Sequence, residues 1–422
     1  MIYPVIGFFL FVVPFIVNRT WADGVRAPKE FLSILGFVSI ISVIISNYRL
    51  KPFKHKFLLF FWLWCIFTTV LSDYKVPFLF PGAAIEISSN MLAWKEFFYI
   101  SIVIFTVYCL SSFIPNGPKQ LTLGNFTINY SDLSFEQSFR IIAKITAYAV
   151  VLMSIYAVIQ IIGFDEWFRA YDPSTGWLAA HPLSKNPQQT GALCRRVVGT
   201  VGNPSILAIW MALCLPLCLY LRSKLGYIAS FLSLIIIGVT ISATAIVGAI
   251  LGIFIYLFFN FKKTFLCVLI ILIPIAFAFS SNVWDKAEHL FDPTGRIEIH
   301  KETFKILENK ATTGFGLGTF EYLVGGNLST ISKLKNQNWK ELHDEYGQLW
   351  WSVGLVGLML FLGFIFTSIR HFFKNINPES MALFASLSVF MVMSLSYFTM
   401  RIAPISFYGV ILLGLFLQQG EK

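Results

Sequence analysis

The stretch LGYIASFLSLIIIGVTISATAIVGAILGIFIYLFF, Leu225–Phe259, contains no charged side chain. A bilayer's hydrocarbon core takes ~20 apolar residues per helix. This run is too long for one span, and the small polar residues from Thr240 to Thr244 permit a tight turn. The reading is two helices, 225–240 and 243–259. Working outward, the same criterion marks 3–17, 31–46, 57–72, 97–114, 141–162 and 204–221 before it. After it come 264–280, 348–367, 381–398 and 402–418. None alternates polar and apolar residues as a membrane β-strand would. The expectation is an all-α polytopic membrane protein of about twelve transmembrane helices, a single integral-membrane domain over 1–422.

Composition excludes the alternatives. Of 422 residues, 56% are hydrophobic and 13% charged, and Phe alone contributes 44. Soluble domains carry about 25% charge, so this chain has too little polar surface to cover itself in water. Disordered chains, secreted disulfide scaffolds and ordinary soluble enzymes are ruled out. Five of the six cysteines (Cys65, Cys109, Cys214, Cys218, Cys267) lie in apolar runs and read as packing groups; Cys194 lies in a polar loop. Cys214 and Cys218 share a helical face, but no His or carboxylate lies near them to suggest a metal. The first span has no basic residue before its apolar run, so it reads as a helix rather than a signal peptide.

Twelve spans put both termini on one side. If that side is the cytoplasm, the inner loops and tail carry thirteen Lys/Arg, among them Arg49, Lys51, Arg222, Lys262, Lys263 and Arg370. Four carboxylates accompany them, and the outer loops are balanced in charge. This is the bias that sets membrane orientation. It also accounts for the +10 net charge without a nucleic-acid partner. Two outer loops are long, 163–203 and 281–347, and long ordered loops usually carry function. The spans hold almost no ionisable groups, Lys144 near one end excepted, and no internal repeat is evident. Both features argue against an ion-coupled transporter, so chemistry is expected at the outer face.

The second long loop, 281–347, holds the densest constellation. Asp292-Pro293-Thr294-Gly295-Arg296 precedes an amphipathic stretch with Ile299, Thr303, Phe304, Ile306 and Leu307. Then come Gly314-Phe315-Gly316-Leu317-Gly318-Thr319-Phe320 and Glu341-Leu342-His343-Asp344-Glu345-Tyr346-Gly347-Gln348. His343 falls where a helix meets water. At helical spacing 343, 347, 350 and 354 share a face. Gly347 and Gly354 make that face a shallow groove, suited to a lipid chain or to close helix packing. Gly314, Gly316 and Gly318 read as a tight turn; no strand precedes them, which excludes a dinucleotide loop. His289 and His300 read as structural. Trp21, Trp94, Trp167, Trp177, Trp350 and Trp351 lie near span ends and read as an interfacial belt. The segment Pro77–Trp94 stays open between a loop and an interfacial helix.

These residues resemble the O-antigen ligase and polymerase superfamily, integral-membrane glycosyltransferases that use polyprenyl-diphosphate-linked glycans. His343 and Gly354 keep the family spacing, histidine, ten residues, glycine, in the last large periplasmic loop, and Gly357 continues the closing glycine pattern. Gly295-Arg296 matches the family's loop arginine and Gly314–Phe320 its Gly-rich turn. Arg196, Gly199 and Gly202-Asn203-Pro204 are similar to the segment entering a central span. The chain departs from the pattern at Asp344, where Asn is common, and at Ser352, where an acidic residue is common. It departs also at His300, where the ligase pattern has leucine, and at Ala243, which follows Ser242 in place of an arginine.

The resemblance implies transfer of a glycan from undecaprenyl diphosphate to an acceptor hydroxyl at the periplasmic face of a bacterial inner membrane, with both termini cytoplasmic. It makes 281–347 the periplasmic catalytic loop, between helices nine and ten. His343 is expected to act as general base, because histidine titrates near neutrality; the alternative is stabilisation of the diphosphate by the imidazole. Arg296, and then Arg196 or Arg195, are expected to hold the diphosphate through the guanidinium fork. The bland alternatives are pairing of Arg296 with Glu298 or Asp292, and interfacial anchoring by Arg195 and Arg196. Direct displacement would invert the anomeric centre. No cofactor and no metal are expected, Asp285, Glu288 and Asp292 being at most a loose cation site. The acceptor is lipid A-core for a ligase and another lipid-linked glycan for a polymerase, with the His-to-Gly spacing favouring the ligase. A polyprenyl-glycan flippase is the reading from another class; it would need charged groups along a central path and would tolerate loss of His343.

Overall fold

The computed structural model describes residues 2–16, 26–52, 54–72, 75–80, 83–114, 119–123, 126–130, 134–161, 197–240, 242–260, 296–325, 341–374 and 376–419. Its main helices are α1 (Ile2–Phe15), α2 (Arg26–Asn47), α3 (Lys56–Leu71), α4 (Ser89–Ser112), α5 (Phe135–Ile161) and α6 (Pro204–Tyr220). They continue with α7 (Lys224–Thr240), α8 (Ala243–Asn260), α9 (Arg296–Leu307), α10 (Glu345–Phe372), α11 (Pro378–Met393) and α12 (Ala403–Gln419). A helix stands at every expected span except 264–280, which lies outside the described residues. Five of them (α2, α4, α5, α8 and α10) are long and apolar enough to cross a membrane, and the other six at expected spans are shorter and apolar. The chain is helical and polytopic. Phe98, Phe231 and Phe366 project outward, as side chains facing lipid do.

The division of Leu225–Phe259 falls where its small polar residues allow it. α7 ends at Thr240, whose hydroxyl donates to the Ile237 carbonyl at 2.7 Å, and α8 begins at Ala243. The Thr244 hydroxyl bonds that of Ser396 at 2.9 Å, tying the turn to the segment after α11. α6 is the axis of the bundle, packed against α5, α7, α8, α11 and α12. Nearly all its side chains are buried, Trp210 among the largest. Its start is set by sequence: Pro204 takes the first turn, where no N–H is needed, and the Asn203 side chain accepts from the amides of Ser205 (2.9 Å) and Ile206 (3.2 Å). The other arc of the bundle joins α10 to α3, α3 to α4, and α4 to α2 and α12. Cys65, Cys109, Cys214 and Cys218 are buried free thiols; Cys194 and Cys267 lie outside the described residues.

Three short antiparallel ribbons were not expected. Residues β1 (Arg49–Leu50) pair with β4 (Phe113–Ile114), β2 (Lys75–Phe80) with β3 (Ala83–Ser88), and β5 (Lys119–Leu123) with β6 (Phe126–Tyr130). The segment Pro77–Trp94 is thus a hairpin running into α4, not an interfacial helix throughout. The alternation Val76, Phe78, Phe80 and Ile85, Ile87 around Pro81-Gly82 is a hairpin signal.

The loops sort into two ends of the bundle. At one end, Tyr108 Oη reaches the Lys51 carbonyl (2.9 Å), Arg222 meets Asn260 (2.7 Å), Tyr220 meets Glu379 (2.7 Å) and Asn377 meets Gln419 (2.9 Å). At the other, Thr200 reaches the Pro14 carbonyl (2.7 Å) and the Ser72 hydroxyl the Phe315 carbonyl (3.3 Å). In these contacts, segments expected on one side of the membrane touch only one another.

Candidate active site

The first three turns of α10 organise the site. Asp344 caps the helix, its carboxylate accepting from the amides of Tyr346 and Gly347, each at 3.1 Å. Burial pushes the Asp344 carboxyl above its ordinary range, against the pull of those two amides. A Cβ on Gly347 would stand 2.6 Å from Leu342 Cδ2 and 2.7 Å from Asp344 Oδ2, so the cap folds back only over a glycine. His343 lies just before the helix with φ +60°, a region that costs a non-glycine residue about 1–3 kcal/mol. It does not continue the helical face of 347, 350 and 354, which corrects the expected alignment. Its half-buried ring stands edge-on to Phe398 (5.0 Å between centroids) and Tyr397 (6.1 Å). Gln348 supports the turn from below: its Oε1 accepts from the Leu342 amide at 2.8 Å.

Gly354 breaks α10, with φ +70° and ψ −179°. The break exposes backbone groups, and the Gly-rich turn takes them up. The amides of Phe315 and Gly316 donate to the carbonyls of Trp351 (2.7 Å) and Ser352 (3.0 Å), and the Leu355 amide donates to Ala311 (2.8 Å). This pairing leaves no room for side chains at the crossing. A Cβ on Gly314 would stand 2.6 Å from the Gly354 nitrogen, and one on Gly354 would overlap the Thr312 carbonyl. Gly316 (φ +102°) presses on Ser72 at the end of α3, Gly318 has φ +69°, and Gly357 packs on Trp64. The face of Gly347 and Gly354 is therefore filled by protein and is not an open lipid groove. The loop has a small core of its own, joining Ile299 and Leu307 of α9 to Phe320, Val324, Leu342 and Trp351. Trp351 stacks on Phe315 at 4.3 Å and donates to the Thr319 hydroxyl at 3.0 Å. It is fully buried, not part of an interfacial belt. Trp350 donates to the Ala311 carbonyl at 2.9 Å.

On the other face of α10 lies a cavity of about 780 Å³. Its lining runs from Glu345, Leu349 and Ser352 down to Ser368 and Ile369, with walls from α3, α4, α8, α11 and α12. That is about 36 Å of helix rise. Glu96, Glu345 and Arg401 are its charged lining residues. Arg401 Nε lies 3.3 Å from Glu341 and 3.6 Å from Glu345, so the charges gather at one end, next to the histidine turn.

Of the expected site residues, His343 and the six glycines are gathered along the start of α10. Arg296 opens α9, and its side chain is not described. Arg195 and Arg196 lie outside the described residues, as do His289, Asp285, Glu288 and Asp292. The structure anchors the chain immediately after Arg196: Gln160 Oε1 accepts from the amides of Val198 (3.2 Å) and Gly199 (2.9 Å). Gln160, Gln348, Glu341, Glu345 and Arg401 were not anticipated. The two glutamates flank His343 at equal spacing, a signal visible in the sequence; Arg401 sits far along the chain, and only the fold brings it there.

No curated protein matches the chain. The model of the family Wzy_C, described as O-antigen ligase, matches residues 228–362. That stretch contains α9, the glycine turn, His343 and the broken part of α10. Over residues 228–362, then, the chain is similar to the Wzy_C family model, described as O-antigen ligase.

Proposed function

We propose that this protein transfers an oligo- or polysaccharide from undecaprenyl diphosphate to an acceptor hydroxyl at the periplasmic face of the inner membrane, as an O-antigen ligase. The family is one of ligases and polymerases acting on lipid-linked glycans. The observation that carries the reading is the placement of His343. The ring is held on a strained turn at the start of α10, two residues from the charged end of a long apolar cavity. A lipid-borne substrate needs that combination: a slot for the isoprenoid tail and a titratable group where the headgroup emerges.

In this mechanism His343 takes the proton of the acceptor hydroxyl as the oxygen attacks the anomeric carbon. The glycosyl–phosphate bond breaks, the diphosphate leaves on its lipid, and the anomeric centre inverts. A positioned base of this kind is worth ~10²- to 10⁴-fold. The diphosphate is a good leaving group and needs cations rather than an acid. Arg296, with Arg196 and Arg195, supplies fork-shaped donors for it. No step calls for a metal or a redox cofactor. Both termini are cytoplasmic in this reading, and the acceptor is lipid A-core. The flippase alternative calls for charge along a central path, whereas the charged lining of this cavity is confined to one end.

The test replaces His343 with Ala and with Gln and follows surface polysaccharide on a gel, with membrane levels of the protein as control. Loss of all attached glycan is expected. Survival of single-repeat forms assigns the polymerase instead, with another lipid-linked glycan as acceptor. Unchanged glycan in a stably made variant removes the base. Arg296→Gln is expected to lower transfer by about tenfold or more through loss of a charge-assisted contact.

A further inference from the structure

Arg401 stands in the short 3₁₀ turn Thr399–Arg401 between α11 and α12. Its guanidinium meets carboxylates on both sides of the histidine, Glu341 two residues before and Glu345 two residues after. The cluster is mostly shielded from water: the side chains of Arg401, Glu341 and Glu345 are 20%, 18% and 7% exposed. Glu96 of α4 lines the same end of the cavity and adds a third negative charge to the field at Arg401. The connection between the two segments is also made by backbone. The Glu345 amide donates to the Ser394 carbonyl at 2.8 Å, and the Met400 amide to Glu345 Oε2 at 3.2 Å. Phe398, two residues before Met400, carries the ring that His343 faces.

We infer that Arg401 is the positioning residue for His343, clamping the two glutamates that bracket the strained histidine turn. The inference rests on the transfer reading above. Its physical basis is simple. A backbone at φ +60° persists only where its surroundings over-determine it. Two carboxylates four residues apart repel each other unless a cation lies between them, and in a low-dielectric pocket that repulsion is strong. Arg401 turns the repulsion into a clamp that fixes both ends of the segment carrying the imidazole. In this role the guanidinium acts through the histidine turn rather than on the substrate. Its effect is on the geometry of attack, where a displacement of about 1 Å costs about a hundredfold in rate.

The experiment uses the purified full-length protein in lipid nanodiscs, with glycan-loaded undecaprenyl diphosphate as donor at varied concentration and lipid A-core as acceptor. Arg401→Gln is expected to lower kcat about a hundredfold with the donor KM unchanged, and Arg401→Lys to recover most of it. Glu345→Gln/Arg401→Gln removes the more deeply buried of the two paired carboxylates that the single variant leaves uncompensated. It is expected to unfold at a higher temperature than the single variant, nearer the wild type, yet keep the low kcat, which a merely stabilising arginine would not produce. Wild-type kcat in the single or the double variant, or a loss confined to KM, overturns the positioning role. His343→Gln is run beside them. Its loss of turnover alongside an unaffected Arg401→Gln condemns the clamp alone, whereas full transfer by His343→Gln overturns the reading on which the clamp depends.

Discussion

The two ends of the helix bundle are built differently. At the end holding Tyr220, Asn377 and Gln419, polar side chains close the gaps between helices with ordinary bonds. Asn377 caps α11 in a reciprocal box with Ser380, and Tyr220 donates to Glu379. Among the described residues there, positive-φ backbone is confined to Arg222, φ +46°. At the other end, left-handed backbone recurs at Gly314, Gly316, Gly318, His343 and Gly354. A helix is broken there, a loop is stitched to the break by backbone bonds, and two carboxylates meet one guanidinium. Strain and buried charge cost free energy, and they are concentrated around His343, the proposed base. The first end is closed by ordinary bonds; under the proposed function, the strain and charge of the second serve to fix one imidazole.

Substitutions at each end sharpen or break this contrast. The largest effect is expected at Gly354→Ala. A methyl group there collides with the Thr312 carbonyl and forces alanine to φ +70°, a loss of about 3 kcal/mol or more. Thermal unfolding in detergent measures it, and transfer activity should vanish with the fold. Next is Gln348→Leu, which strands the buried Leu342 amide for about 2 kcal/mol. Because that amide precedes His343, turnover should fall further than the loss of folded protein explains. At the opposite end, Tyr220→Phe removes one bond to Glu379 and costs about 1 kcal/mol, with transfer per folded molecule unchanged. Equal damage to turnover from Tyr220→Phe and Gln348→Leu would show that the ends do not differ as described. The smallest effect is expected at Glu136→Ala: the pair with Arg140 is 3.5 Å long and more than half exposed, and such pairs contribute roughly 0–1 kcal/mol.

Much of the helical frame was legible because each span needs only an uninterrupted apolar run, a local property. The break between α7 and α8 was placed correctly for the same reason, since Thr240 to Thr244 carry the signal themselves. Helix starts were less exact: α5 begins at Phe135 rather than 141 and α10 at Glu345 rather than 348, because polar first turns extend past the apolar window. The ribbons were missed, as their alternation lies in short stretches that a search for apolar runs passes over. In the site, His343 and the glycines were visible by spacing. Their shared helical face was not a sound inference, because it assumed that the helix begins before Asp344, and the cap begins it after.

The sequence alone determined that the chain is a bundle of apolar helices with a chemically rich loop before α10, since hydropathy and spacing act over a few turns. It also held the family pattern within 228–362. The tertiary structure decided that the glycines serve backbone contact rather than a lipid groove, that Trp351 is core, and that Arg401 meets Glu341 and Glu345. Those outcomes depend on pairs as far apart as Ala311 and Leu355 or Glu341 and Arg401. Their energies come from contact, burial and charge between distant segments, and no local pattern encodes which segments meet.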